Sequence, residues 1–100
     1  MTKRRVFTVE FKRDTAMLVL DQGYSIKQAR ESMGVGESAL RRWVAQLSQE
    51  RGGQTPKGSK ALTEDQQRIQ TLEKKVQKLE REKEILKKAS ALLMLDTYRA

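Results

Sequence analysis

The chain has no cysteine and no histidine among its 100 residues. Those two absences exclude disulfides, zinc fingers, thiol nucleophiles and imidazole acid–base chemistry. One proline and six glycines are too few for a turn-rich all-β domain. Aromatics make up only 5% of the residues. No apolar run approaches the ~20 residues that a membrane span needs. The opening MTKRRVFTVEFKRD lacks an apolar segment after its basic residues, so no signal peptide is expected. What is abundant is charge. Lys and Arg number 21 against 13 Asp and Glu, a formal net charge of +8. These features imply a soluble, mostly helical protein with a polyanionic partner and no membrane.

The pattern divides into three parts and predicts an all-α chain. Residues 1–49 are expected to form a three-helix helix-turn-helix domain. Residues 50–61, ERGGQTPKGSKA, are small and polar and are expected to form a flexible Gly/Pro linker. Residues 62–95 return to helical periodicity as a leucine-zipper-like coiled-coil helix, followed by a tail over 96–100. Helix one is expected after Thr8, an N-cap candidate, through VEFKRDTAMLVLDQ. Its stripe is Phe11, Thr15, Leu18 and Gln22, widened by Ala16, Val19 and Leu20, with Gly23 suited to a positive φ at the end. Helix two covers IKQARESM, opened by a capping box of Ser25 and Gln28 and ended at Gly34. Helix three covers about Glu37 to Gln49.

The short turn between helices two and three carries the main signal. A helix-turn-helix needs a small residue at the helix crossing, a residue tolerant of positive φ in the turn, and apolar residues after it. Ala29, Gly34, Val35, Leu40 and Trp43 fill those roles, while Arg30 is expected at the rim of the crossing. On helix three, Leu40, Trp43, Val44 and Leu47 form the core stripe. Ser38, Arg41, Arg42, Ala45 and Gln49 lie on the opposite face. Ser38, Arg41, Arg42 and Gln49 are therefore the candidate DNA contacts, the arginines suited to guanine O6 and N7 or to phosphate. Glu37 suits the helix dipole. Lys3, Arg4 and Arg5 are either a further DNA-contacting arm or a solvated terminus.

With Ile69 set at position a, the a positions are Leu62, Ile69, Val76, Lys83 and Ser90. The d positions are Asp65, Leu72, Leu79, Leu86 and Leu93. Ile69, Leu72, Val76, Leu79, Lys83 and Leu86 are the expected oligomerisation residues. β-Branched a with Leu at d favours a parallel dimer, and Lys83 disfavours higher oligomers. In a parallel pair the flanks match in sign: Arg68 with Glu73, Lys75 with Glu80, Glu82 with Lys87. Ile85, Ala89 and Leu92 begin a second row, a hint of a wider interface or a stutter. No Gly-rich phosphate loop, nucleophile–base pair, metal site or cofactor site is legible.

The segments FTVEFKR, MGVGESALRRWV and LEREKEILKKASALL, in this order and spacing, resemble the first-frame (OrfA-type) proteins of two-frame bacterial insertion sequences of the IS-three group. The resemblance covers essentially the whole chain; Arg30 and Gly36 depart from its commoner residues. It implies a helix-turn-helix that binds the terminal inverted repeats in double-stranded DNA. It implies a zipper for self-association and for association with the full-length fusion transposase, whose second-frame part holds the acidic catalytic triad. Lys87 and Lys88 then lie where the family often shifts frame, with Ala89–Ala100 as the tail of the short product. The expected function is a non-enzymatic accessory subunit of a transposase, cytoplasmic and nucleoid-associated. The alternative is a stand-alone transcription regulator with the same parts.

Overall fold

The computed structural model describes residues 6–99, with side chains as far as residue 97. Four helices follow one another: α1 (Val9–Leu20), α2 (Ile26–Met33), α3 (Glu37–Arg51) and α4 (Glu64–Arg99). All regular structure among the described residues is helical. The chain divides into two compact units, one ending at Arg68 and the other beginning at Ile69.

Local chemistry accounts for each boundary in the first unit. The Phe11 N–H donates to Thr8 Oγ1 at 3.1 Å, which caps α1. At its other end Gly23 takes φ +74, and the Tyr24 N–H donates to the Leu18 carbonyl at 3.0 Å, a Schellman-type closure. Helix α1 ends at Leu20, two residues before the sequence pattern suggests. The capping box on α2 is reciprocal: Gln28 N–H to Ser25 Oγ at 3.0 Å and Ser25 N–H to Gln28 Oε1 at 2.9 Å.

The core gathers Ala16, Ala29, Val35, Leu40, Trp43, Leu47 and Leu62, with Phe11, Leu18, Val19 and Ile26 partly buried against it. Helix α1 packs chiefly on α3. Thr15 and Ala16 are fully buried, and the Thr15 hydroxyl donates to the Phe11 carbonyl at 2.7 Å, so its burial leaves no polar group unsatisfied. Gln22 and Leu20, placed on the α1 stripe by periodicity, are exposed.

The segment expected to be a flexible linker is tied down. Helix α3 runs through Glu50 and Arg51 before Gly52 ends it. Ser59 N–H donates to the Pro56 carbonyl at 3.0 Å, with Gly58 at φ +82 as the third residue of that turn, where only glycine sits without strain. Ala61 and Leu62 are buried. Heptad spacing makes Leu62 an a position, but α4 begins only at Glu64, so the Leu62 side chain lies before the helix and joins the core instead. The polar linker cannot fold by itself, yet one leucine at its end finds an apolar surface already built. At the far end α4 continues through residues 96–99, past the expected boundary of a tail.

Candidate DNA interface

The turn between α2 and α3 is three residues long. Gly34 closes α2 in the left-handed region at φ +64 and ψ +39, a conformation that costs a residue with a Cβ about 1–2 kcal/mol. The Val35 N–H reaches the Arg30 carbonyl at 3.2 Å, and the Val35 side chain is buried in the core. Gly36 is the N-cap of α3 and supplies no side-chain cap. Arg30 is exposed and Ala29 is fully buried beside the crossing.

Helix α3 has two faces of opposite character. Leu40, Trp43, Leu47 and Glu50 are buried. Trp43 meets Phe7 edge-on at 5.1 Å and Phe11 at 6.1 Å, while Phe7 and Phe11 stack at 5.1 Å. The indole is thus enclosed by rings and is no platform for a base. Ser38, Arg41, Arg42, Ala45 and Gln49 are exposed on the other face. Ser38 to Ala45 share the N-terminal half, while Gln49 lies about 16 Å along the axis from Ser38. Arg41 is 3.6 Å from Glu37, both exposed; Arg42 makes no ion pair among the described residues. Lys3, Arg4 and Arg5 fall outside the described residues.

Two features escape a reading of the sequence. At the end of α3 the buried Glu50 carboxylate accepts from the N–H groups of Leu62 at 2.9 Å and Thr63 at 2.8 Å, from the Thr63 hydroxyl at 3.1 Å, and from Gln46 Nε2 at 2.7 Å. Thr63 in turn accepts from the Gln66 N–H at 3.3 Å and caps α4. A signal for it exists: Leu40, Trp43, Leu47 and Glu50 continue one helical stripe, so position 50 faces inward. The second feature is a two-pronged ion pair, Arg51 Nη1 and Nη2 to Asp21 Oδ1 and Oδ2 at 2.6 and 2.7 Å. Hydrogen bonds from Arg51 hold the Asp21 carboxyl below its ordinary pKa against some desolvation, and Asp21 raises that of Arg51. No sequence pattern links positions thirty residues apart.

In the second unit, Ile69, Leu72, Val76, Leu79 and Leu86 are 42–66% exposed, at a and d spacing along one side of α4. Lys83 is exposed between them, and Ile85 and Leu92–Leu95 are exposed as well. Among the described residues no cluster of three or more Asp or Glu is placed to hold a metal ion, and no helix is long and apolar enough to cross a membrane.

A basic, exposed face on the second helix of a tight helix pair is the arrangement that reads a major groove. Comparison with known proteins agrees. A helix-turn-helix family model described as "Transposase" matches residues 1–89. InsN of insertion sequence element IS911A, from Escherichia coli (strain K12), is 51% identical over 88 residues, covering 88% of this chain and 65% of that protein. InsN of element IS911B, from the same strain, is 50% identical over 86 residues, covering 86% of this chain and 97% of that protein. Both names carry the word transposase. The chain thus spans just under two thirds of the first relative and nearly all of the second. No solved structure matches. Its turn, its two-faced α3 and the reach of the family match place the chain among the helix-turn-helix transposase proteins of insertion sequences, the OrfA type of the IS-three group.

Proposed function

We propose that the chain is a sequence-specific, self-associating accessory subunit of an insertion-sequence transposase. The helix-turn-helix head over residues 1–49, its core completed by Leu62, reads the terminal inverted repeats through Ser38, Arg41, Arg42 and Gln49. Helix α4 pairs chains through Ile69, Leu72, Val76, Leu79 and Leu86, with Lys83 limiting the pairing to two strands. The same surface joins the full-length fusion transposase, and strand cleavage is that partner's work, so this chain is not itself the enzyme. The protein sits in the cytoplasm on nucleoid DNA.

The observation that carries this reading is the division of α3. Its apolar side is spent on the core, and its exposed half holds Ser38, Arg41 and Arg42 with only Glu37 to offset them. The exposed seam of α4 supports pairing. Burying apolar surface gains about 25 cal/mol per Å², and in a parallel pair all three flanking charge pairs are opposite in sign. Each exposed pair adds about 0–1 kcal/mol, so the charges set register more than strength.

Binding to duplexes carrying the element's ends and to random duplexes tests the proposal. Arg42→Ala should weaken end binding by about 1–3 kcal/mol if its guanidinium meets a base in two-pronged fashion, with a smaller loss on random DNA. Equal losses on both would assign Arg42 to phosphate. If Arg41→Ala and Arg42→Ala both fold and both bind the ends like wild type, α3 is not the reading element.

A further inference from the structure

Helix α4 mixes both signs of charge along its seam, with Arg68, Lys75, Lys83 and Lys87 beside its acids, but its far side is mostly basic. Glu73, Glu80 and Glu82 stand at the flanking positions of the seam, where a second chain offers opposite charges. Lys74, Arg81 and Lys88 recur every seven residues on the far side, with Lys78 one turn from Lys74. Steps of four, three and seven residues put these four cations on one ridge. All four are exposed, and none makes an ion pair among the described residues. One acid, Glu84, interrupts the ridge, and its carboxylate lies 4.0 Å from Lys87.

Four cations thus occupy about 21 Å of helix. Lys74 with Lys78, and Lys78 with Arg81, are like-charge neighbours that destabilise a helix. Mixed charges would solvate that face without the repulsion. We propose that this ridge binds the phosphates of duplex DNA without reading sequence, in addition to the site that α3 holds. The proposal rests on the reading of the chain as a DNA-binding protein and extends it to a second surface. Duplex DNA is the fitting occupant because it offers a regular row of anions, one charge per ~1.7 Å of axis. Of the acids over this stretch, Glu73, Glu80 and Glu82 lie at the seam flanks and only Glu84 lies beside the ridge.

The test uses the full chain carrying K74Q, K78Q, R81Q and K88Q together; glutamine preserves helix propensity. Binding is followed against salt on two duplexes, one only as long as the end site and one extended by random flanks. On the extended duplex the log–log slope should be shallower than wild type by about 0.9 for each phosphate that the variant no longer neutralises. On the short duplex the two proteins should agree. Sedimentation at wild-type mass ensures that a broken zipper does not imitate the effect. If the quadruple variant dissociates, K74Q with K88Q is measured instead, and its slope should be shallower by up to the equivalent of two phosphates. Equal slopes on the extended duplex overturn the ridge, as does a loss seen only with single-stranded RNA of the same length. A wild type that binds neither duplex overturns the underlying reading as well.

Discussion

Trp43 stands on α3, the second helix of the helix-turn-helix, where an aromatic is easily taken for a base-stacking group, yet it is 6% exposed and ringed by Phe7 and Phe11. Its role is to hold α3 on α1. Trp43→Ala should destabilise the head by about 3–5 kcal/mol, read as an earlier thermal or urea transition; a variant that melts like wild type would move the indole out of the core. Asp21 makes a different contribution. Its carboxyl is held below the usual range by the Arg51 hydrogen bonds. Ionised Asp21 therefore adds stability that is present above its unfolded-state pKa and fades as pH falls through the lower folded-state value. Asp21→Asn should flatten that acid limb of a stability–pH curve and leave the shape near neutrality unchanged. Both groups are partly exposed, so salt should blunt the difference.

Among the elements, the junction of α3 and α4 departs most from what composition suggests. Glu50→Ala removes the acceptor shared by the Leu62 and Thr63 N–H groups. Each buried donor left unpaired costs about 1–3 kcal/mol, so denaturant melts should show a marked loss, smaller in Glu50→Gln, which keeps one acceptor oxygen. The helices themselves were largely legible. Thr8, the Ser25–Gln28 box and Gly34 act within a few residues of themselves, and α2 has the bounds its pattern predicts. The two faces of α3 were legible for the same reason, since helical spacing sorts its residues. The docking of residues 50–63 was not. Its composition is that of a loop, and what orders it is Leu62 meeting a core assembled from distant residues. The arm at Lys3–Arg5 stays an expectation from charge.

For the whole molecule, the two units carry separable risks. Leu79→Pro places a proline in the interior of α4, at a cost of about 3 kcal/mol or more. It should reduce the sedimenting mass to that of one chain while leaving the melting of the unit that ends at Arg68 unchanged. A monomeric wild type at micromolar concentration would remove the zipper from the account. The burial of Leu62 bears on synthesis. Domains fold as units, N-terminal first, while the chain is still growing. This head, however, cannot complete its core at residue 49, where its last predicted helix ends. It must wait for Leu62 and Thr63 to leave the ribosome. A nascent or truncated product ending near residue 60 should therefore bind DNA poorly and be cut readily by protease, whereas one ending at Arg68 should resist. The stretch that looks dispensable is the last piece the DNA-reading head needs before it can work.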